Sequence, residues 1–174
     1  MGLISAKTII TSLALFHITL AYFFFTNPNV IADQSTVFII GEAMGMPHAR
    51  SFEVTSPPLA FLAAIFFYTG VSDLVACSMQ EEIYVFYWGS QAPTRLLVLL
   101  GLTIYSYFFS STSPLYATST YTPGWGEGLK NRVFFTWAFL EVVTWFWVWV
   151  TLREERSEWV RRIAMNRAEE EDRL

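Results

Sequence analysis

The sequence has one cysteine, no block of basic residues, and almost no charge across four long stretches. Each shortage excludes something. A single cysteine, Cys77, rules out an intrachain disulfide and a cysteine-based zinc site. Its place inside an apolar run reads as a small buried hydrophobe. Without a basic block there is no electrostatic footprint for nucleic acid, and none is expected as a partner. H-x-x-x-H, G-x-S-x-G, G-x-G-x-x-G and P-loop patterns are all missing, so the sequence points to no cofactor, no metal and no catalytic residue.

What is present is apolar. Thr8–Phe25, Pro58–Ser78, Leu96–Ser113 and Val133–Leu152 each hold 18 to 21 residues with little charge. A helix needs roughly 20 apolar residues to cross the hydrocarbon core of a bilayer. The expected fold class is therefore all-α: a polytopic membrane protein with four transmembrane helices, its last helix extended into the cytoplasm. Residues 1–152 form the four-helix domain, with spans near 8–25, 58–78, 96–113 and 133–152. Residues 153–174 form a charged cytoplasmic helical tail. The first stretch is longer than the usual h-region of roughly 7–15 residues and lacks an A-x-A-like site, so it reads as a retained span. The first 25 residues contain one Lys and no Arg, unlike a mitochondrial transit peptide.

The connections carry breakers. Thr26-Asn27-Pro28-Asn29 closes the first span. Within the following loop, Thr36–Met46 is apolar enough for a short interfacial or re-entrant helix, and Gly41 and Gly45 make a lone G-x-x-x-G. Ser56-Pro57-Pro58 opens the second span with proline where its missing N–H is harmless. Ile83–Trp88 is aromatic, as in a loop lying against the membrane interface, and Pro93-Thr94-Arg95 is expected to open the third span. Ser113–Asn131, rich in Ser, Thr, Pro and Gly, reads as irregular. No breaker lies between Val133 and Leu174, so the fourth span is expected to run on as one long helix. Glu158 sits three and four residues before Arg161 and Arg162, a favourable order for helix ion pairs. Trp159 and Ile163 are placed to touch lipid.

Basic residues set the orientation. Lys7, Arg95 and six tail arginines share one side, against Arg50, Lys130 and Arg132 on the other. That excess puts both termini in the cytoplasm.

Ionisable groups inside spans are expensive, and each is a candidate for function. His17 lies midway along the first span and Glu141 midway along the fourth. Asp73 lies near the cytoplasmic end of the second span, at the depth of Arg95 at the start of the third. Asp73 and Arg95 read either as a structural ion pair or as a polar contact for a lipid headgroup or partner. Glu141 needs a partner, supplied by His17 or by hydroxyls such as Thr144 or Tyr105. His17 and Glu141 read either as a clamp inside the bundle or as a proton-transfer pair. His48, after Met46-Pro47, reads as a solvated or interfacial loop residue.

Four local patterns coincide: Thr69-Gly70-Val71-Ser72-Asp73-Leu74, Pro93-Thr94-Arg95-Leu96-Leu97, Phe139-Leu140-Glu141-Val142 and Leu152-Arg153-Glu154-Glu155-Arg156. In this order and spacing the chain resembles the fungal "increased loss of mitochondrial DNA" family over most of residues 1–165. The resemblance departs in the tail, which is shorter here than the family's acidic extension. It implies a small, multi-pass endoplasmic-reticulum membrane protein whose loss disturbs mitochondrial genome maintenance, and it brings no catalytic residues. Three functional readings follow. The first is a non-enzymatic accessory or scaffold subunit, held by membrane lipids and a larger membrane protein partner, that supports mitochondrial DNA through lipid supply or membrane contact. The second is an enzyme or binding protein for a sterol-like lipid, using His17, Asp73 and Glu141. The third is an ion-conducting oligomer. A tightly packed bundle with an apolar side groove favours the first, a closed cavity lined by those residues the second, and a polar outer face the third.

Overall fold

The computed structural model describes residues 4–113, 122 and 124–171, with side chains to residue 165. The regular elements among the described residues are all helical, in the order α1 (Ala6–Thr26), α2 (Asn29–Ala32), α3 (Ser35–Ala43), α4 (Pro57–Cys77), α5 (Glu81–Phe108) and α6 (Arg132–Glu171), with short 3-10 turns at Arg50–Phe52 and Glu127–Leu129. The irregular loop expected over Ser113–Asn131 lies partly outside the described residues.

Local chemistry sets the helix ends. The Ser5 hydroxyl accepts from Thr8 N at 3.2 Å and caps α1. Pro57 and Pro58 occupy the first turn of α4. The Asn131 side chain accepts from Phe134 N at 3.0 Å and starts α6. α1 and α4 fall within two residues of the spans read from the sequence. The helix expected within 36–46 is α3.

The third span is corrected. It does not begin after a loop: α5 starts at Glu81 and runs through Pro93 without a break. Glu81 and Glu82 sit in its first turn, where the helix dipole favours negative charge. An interior proline costs a helix about 3 kcal/mol, but buried packing on both sides of Pro93 offsets it. Trp88 and Ala92 are both 0% exposed, and Arg95 is bonded to a neighbouring helix. The helix also stops early, at Phe108. Beyond it Ser110 and Thr112 bond each other at 3.0 Å, and the Thr112 hydroxyl donates to Gly45 O at 2.5 Å. Such side chains offer the backbone an alternative to helix.

Three helices are long and apolar enough to cross a membrane: Ala6–Thr26, Pro57–Cys77 and, within α6, Arg132–Met165. α5 falls short because Glu81, Glu82 and the Gly89–Arg95 stretch interrupt its apolar sequence. The four long helices nevertheless run up, down, up and down. At one end Ala6, Cys77, Tyr84 and Leu152 share a buried cluster. At the other end Phe24, Leu59 and Val133 share a second cluster, and Tyr107 of α5 lies 6.2 Å from Phe135 of α6. α1 packs along α4, α5 along α6, and α3 lies across the start of α6.

Between helices in a membrane the hydrophobic effect contributes little, so close packing by small residues does the joining. α1 and α4 meet at Ala14 and Gly70, so closely that a Cβ on Gly70 would fall 2.7 Å from Ala14 O and 2.7 Å from Ile18 Cγ1. Gly41 meets Arg132 of α6 in the same way, at 2.6 Å from its Cβ. The outer faces are apolar too: Phe25, Phe61, Tyr68 and Leu97 are all more than 60% exposed. A helix apolar on every side is one surrounded by lipid or protein.

α6 is 40 residues long, or about 60 Å at 1.5 Å per residue. That is about twice a bilayer core. Its charged half is held to the other helices. Glu155 Oε1 accepts from the backbone N–H of Ala6 at 2.9 Å, and Arg162 reaches Glu81 at 3.9 Å.

Candidate functional site

The sequence placed Asp73, Arg95, His17 and Glu141 on four different helices, and the fold joins them in two pairs. Arg95 Nη1 donates to Asp73 Oδ2 at 2.7 Å and Nη2 to Oδ1 at 2.8 Å. This two-bond fork ties α5 to α4 and uses both carboxylate oxygens. Asp73 is buried, while a quarter of the Arg95 side chain is exposed. His17 Nε2 lies 2.7 Å from Glu141 Oε1, both side chains buried, and ties α1 to α6.

The second partner of Glu141 is one the sequence reading missed. Trp145 Nε1 donates to Glu141 Oε2 at 2.9 Å. The Thr144 hydroxyl instead donates to Leu140 O on its own helix, and the Tyr105 hydroxyl to Trp125 O outside the bundle. Trp145 is four residues after Glu141, one turn along the same face, so the spacing was there to be read. The Trp145 ring stacks on Trp88 of α5 at 5.7 Å. The Arg95 guanidinium lies over both rings, 5.2 Å from Trp88 and 4.8 Å from Trp145. A cation over an aromatic face is attracted by its quadrupole. The two pairs therefore form one chain of contacts, Asp73–Arg95–Trp145–Glu141–His17, that touches all four long helices.

One cleft opens beside this network and another lies apart from it. One, of about 430 Å³, is half-open and lies among α1, α4, α5 and α6; His17, Arg95 and Glu141 are in its wall and Asp73 is not. Another, of about 480 Å³, has a wholly apolar lining from α3, α5 and α6. His48 stays apart: it is exposed and bonds Glu53 at 3.2 Å. Cys77 is free and buried.

The arrangement can now be set beside known proteins. The model of the increased loss of mitochondrial DNA protein 1 (Ilm1) family matches residues 4–162, which take in all four long helices and the whole network. The chain belongs to this family. It is similar to Protein ILM1 of Saccharomyces cerevisiae, with 28% identity over 166 residues, covering 93% of this chain and 73% of the yeast protein. No solved structure matches it. The Ilm1 family is linked by its name to mitochondrial DNA maintenance. The match extends ten residues past Leu152, so the charged first turns of the α6 extension belong to the family's shared region.

Proposed function

We propose that this protein is a non-enzymatic, multi-pass protein of the endoplasmic-reticulum membrane that acts as an accessory or scaffold subunit of a larger membrane assembly. Its support of mitochondrial DNA is indirect, through lipid supply or membrane contact. The observation that carries this reading is how the buried charges are used. Both oxygens of Asp73 and both oxygens of Glu141 are engaged by side chains of the bundle. Groups held that way cross-brace helices. The apolar groove lined by α3, α5 and α6 offers a face for a partner helix or lipid.

The proposal includes four spans with both termini cytoplasmic. Glu81 and Phe108 lie at opposite ends of the bundle, so α5 runs the same depth as its neighbours, although only its second half is strongly apolar. The charged half of α6 would then lie in the cytoplasm, on the side favoured by Lys7 and the six tail arginines against Arg50, Lys130 and Arg132, with Arg95 left out because it lies inside α5.

The test uses Glu141 in fungal cells that depend on this chain for mitochondrial DNA retention. Glu141→Gln keeps hydrogen-bonding capacity but cannot titrate. The brace reading expects normal protein abundance and normal retention. Glu141→Leu leaves His17 and Trp145 without a partner, which costs about 1–3 kcal/mol, and abundance should fall. A normally abundant Glu141→Gln protein that loses mitochondrial DNA would overturn the brace and favour proton-transfer chemistry.

A further inference from the structure

The charged half of α6 and the first turns of α5 border a cleft of about 300 Å³, away from both braces. That is the small end of the roughly 300–1,000 Å³ range of ligand pockets, enough for a headgroup. Its walls are two stripes at helical spacing: Glu82, Phe86, Gly89 and Ser90 on α5, and Arg156 and Trp159 on α6. The stripes are accessible. Phe86 is 83% exposed, and Glu82 and Arg156 are exposed as well. A Cβ on Gly89 would meet nothing within 4 Å, so α5 leaves room there. Nearby charges are held: Glu81 by Arg162, and Glu155 by the N–H of Ala6. Among the described residues neither Glu82 nor Arg156 has such a partner.

These groups are ordered along the bundle axis. α6 runs outward through Leu152, the last residue of its apolar stretch, and Arg156 stands four residues beyond it, about 6 Å at 1.5 Å per residue. That is headgroup depth rather than hydrocarbon. Trp159 is almost a turn further out. α5 runs the opposite way, so Glu82 is at the outer end of its stripe and Gly89 and Ser90 are at the inner end. The contact of Glu81 with Arg162, six residues beyond Arg156, sets the start of α5 at the outer level. From the bilayer outward the cleft therefore presents an open wall, then a guanidinium, then a carboxylate, with one aromatic ring from each helix. Leu97, eleven residues after Phe86 and so on the same face of α5, is 69% exposed and continues the stripe toward the hydrocarbon.

A zwitterionic phospholipid has the complementary order: acyl chains, then phosphate, then ammonium. The planar fork of an arginine matches phosphate oxygens with two parallel bonds. A carboxylate attracts an ammonium by charge, and aromatic faces attract it through their quadrupoles, quaternary ammonium included. We infer that this cleft holds the headgroup of a zwitterionic membrane phospholipid, with its phosphate on Arg156, its ammonium beside Glu82, Phe86 and Trp159, and a chain along α5 toward Leu97. A phospholipid without an ammonium leaves Glu82 unmatched. A free diester of the same headgroup shares the polar chemistry but has no chain to lay on Leu97. The inference goes beyond the scaffold reading and rests on its four-span placement, which sets Leu152 at the membrane surface.

The test titrates the full chain, purified lipid-free in mild detergent, with phosphatidylcholine, phosphatidylethanolamine or phosphatidylglycerol of identical chains, and reads the first bound lipid by native mass spectrometry. At least one of the two zwitterionic lipids should bind several-fold more tightly than phosphatidylglycerol. Arg156→Gln should weaken that binding about tenfold, the scale of a charged hydrogen bond. Glu82→Gln should weaken the zwitterionic lipid and not phosphatidylglycerol, so that the preference shrinks. Gly89→Trp fills the open wall and should remove the preference with both charges in place, which keeps the test decisive if a charge variant proves unstable. The chain-free glycerophosphodiester of the preferred headgroup should fail to compete at equal concentration. No preference over phosphatidylglycerol, unchanged binding in Arg156→Gln or Gly89→Trp, equal weakening of all three lipids by Glu82→Gln, or full competition by the diester would each overturn the proposal. Lipid affinity of the purified protein is scored apart from mitochondrial DNA retention and from sidedness, so failure of the site is distinct from failure of the scaffold reading or of the four-span placement.

Discussion

Asp73 and Arg95 show how a buried pair of charges is held. On the proposed four-span reading each would lie at membrane depth, where a lone charged side chain costs about 2.5–3.5 kcal/mol even on insertion scales. Together they make two short bonds across α4 and α5. Removing one partner of a buried pair typically costs about 3–5 kcal/mol, whereas removing both costs less. Asp73→Asn and Arg95→Gln should each lower steady-state abundance, and the double variant should recover part of the loss; immunoblotting at matched expression checks this. Purely additive losses would count against the pair as a brace. Arg95→Lys tests a further point. Lysine keeps the charge but loses the planar fork and the stacking over Trp88 and Trp145, so it should rescue only in part. His17 and Glu141 could be matched in the sequence because depth along the first and fourth spans can be counted; Asp73 and Arg95 meet as well, although Arg95 lies well inside α5 and not at the start of a span. Trp145 was missed for the opposite reason. An aromatic in an aromatic-rich span reads as packing, and its N–H escaped attention although Glu141 stands one turn before it.

Among the elements, α1 and α4 were nearly complete in the sequence and α5 was not. The first two are apolar from end to end and bounded by breakers, Asn27-Pro28 after one and Pro57-Pro58 at the start of the other. α5 contains the signals that usually mark a boundary, Pro93 and a charged residue, in its interior. Tertiary contacts override them, through Trp88 against Trp145 and Arg95 against Asp73. The α1–α4 crossing is the element contact with the least room to spare. In Gly70→Ala the new methyl meets Ala14 O and Ile18 at 2.7 Å. Backbone cannot swing aside as a side chain can, so the helices must part, and overpacking of this kind typically costs about 1–3 kcal/mol. Thermal unfolding in mild detergent should show a lower midpoint for Gly70→Ala. Gly101 on α5 meets nothing within 4 Å, and Gly101→Ala should leave the midpoint equal or higher. A destabilised Gly101→Ala beside an unchanged Gly70→Ala would mean that the crossing is misplaced.

At the scale of the whole molecule, the up-down-up-down bundle, the two braces and the apolar outer faces agree with one another. Apolar length and composition alone single out three helices; the fourth is argued from its antiparallel run along α6 and from its ends. The two possibilities make opposite statements about sidedness. If all four long helices cross, the α1 start and the α6 extension lie on one side and the α3–α4 connection on the other. If α5 does not cross, the α6 extension joins the α3–α4 connection. The most direct measurement is therefore site-specific cysteine labelling of sealed endoplasmic-reticulum vesicles. Single cysteines replace the exposed Ser5, Ser51 or Ser157 in a Cys77→Ala background, with an impermeant maleimide added from the cytosolic face. The account predicts that Ser5→Cys and Ser157→Cys label at once and that Ser51→Cys labels only after the membrane is opened. Labelling of Ser51→Cys and Ser157→Cys from the same side would contradict it.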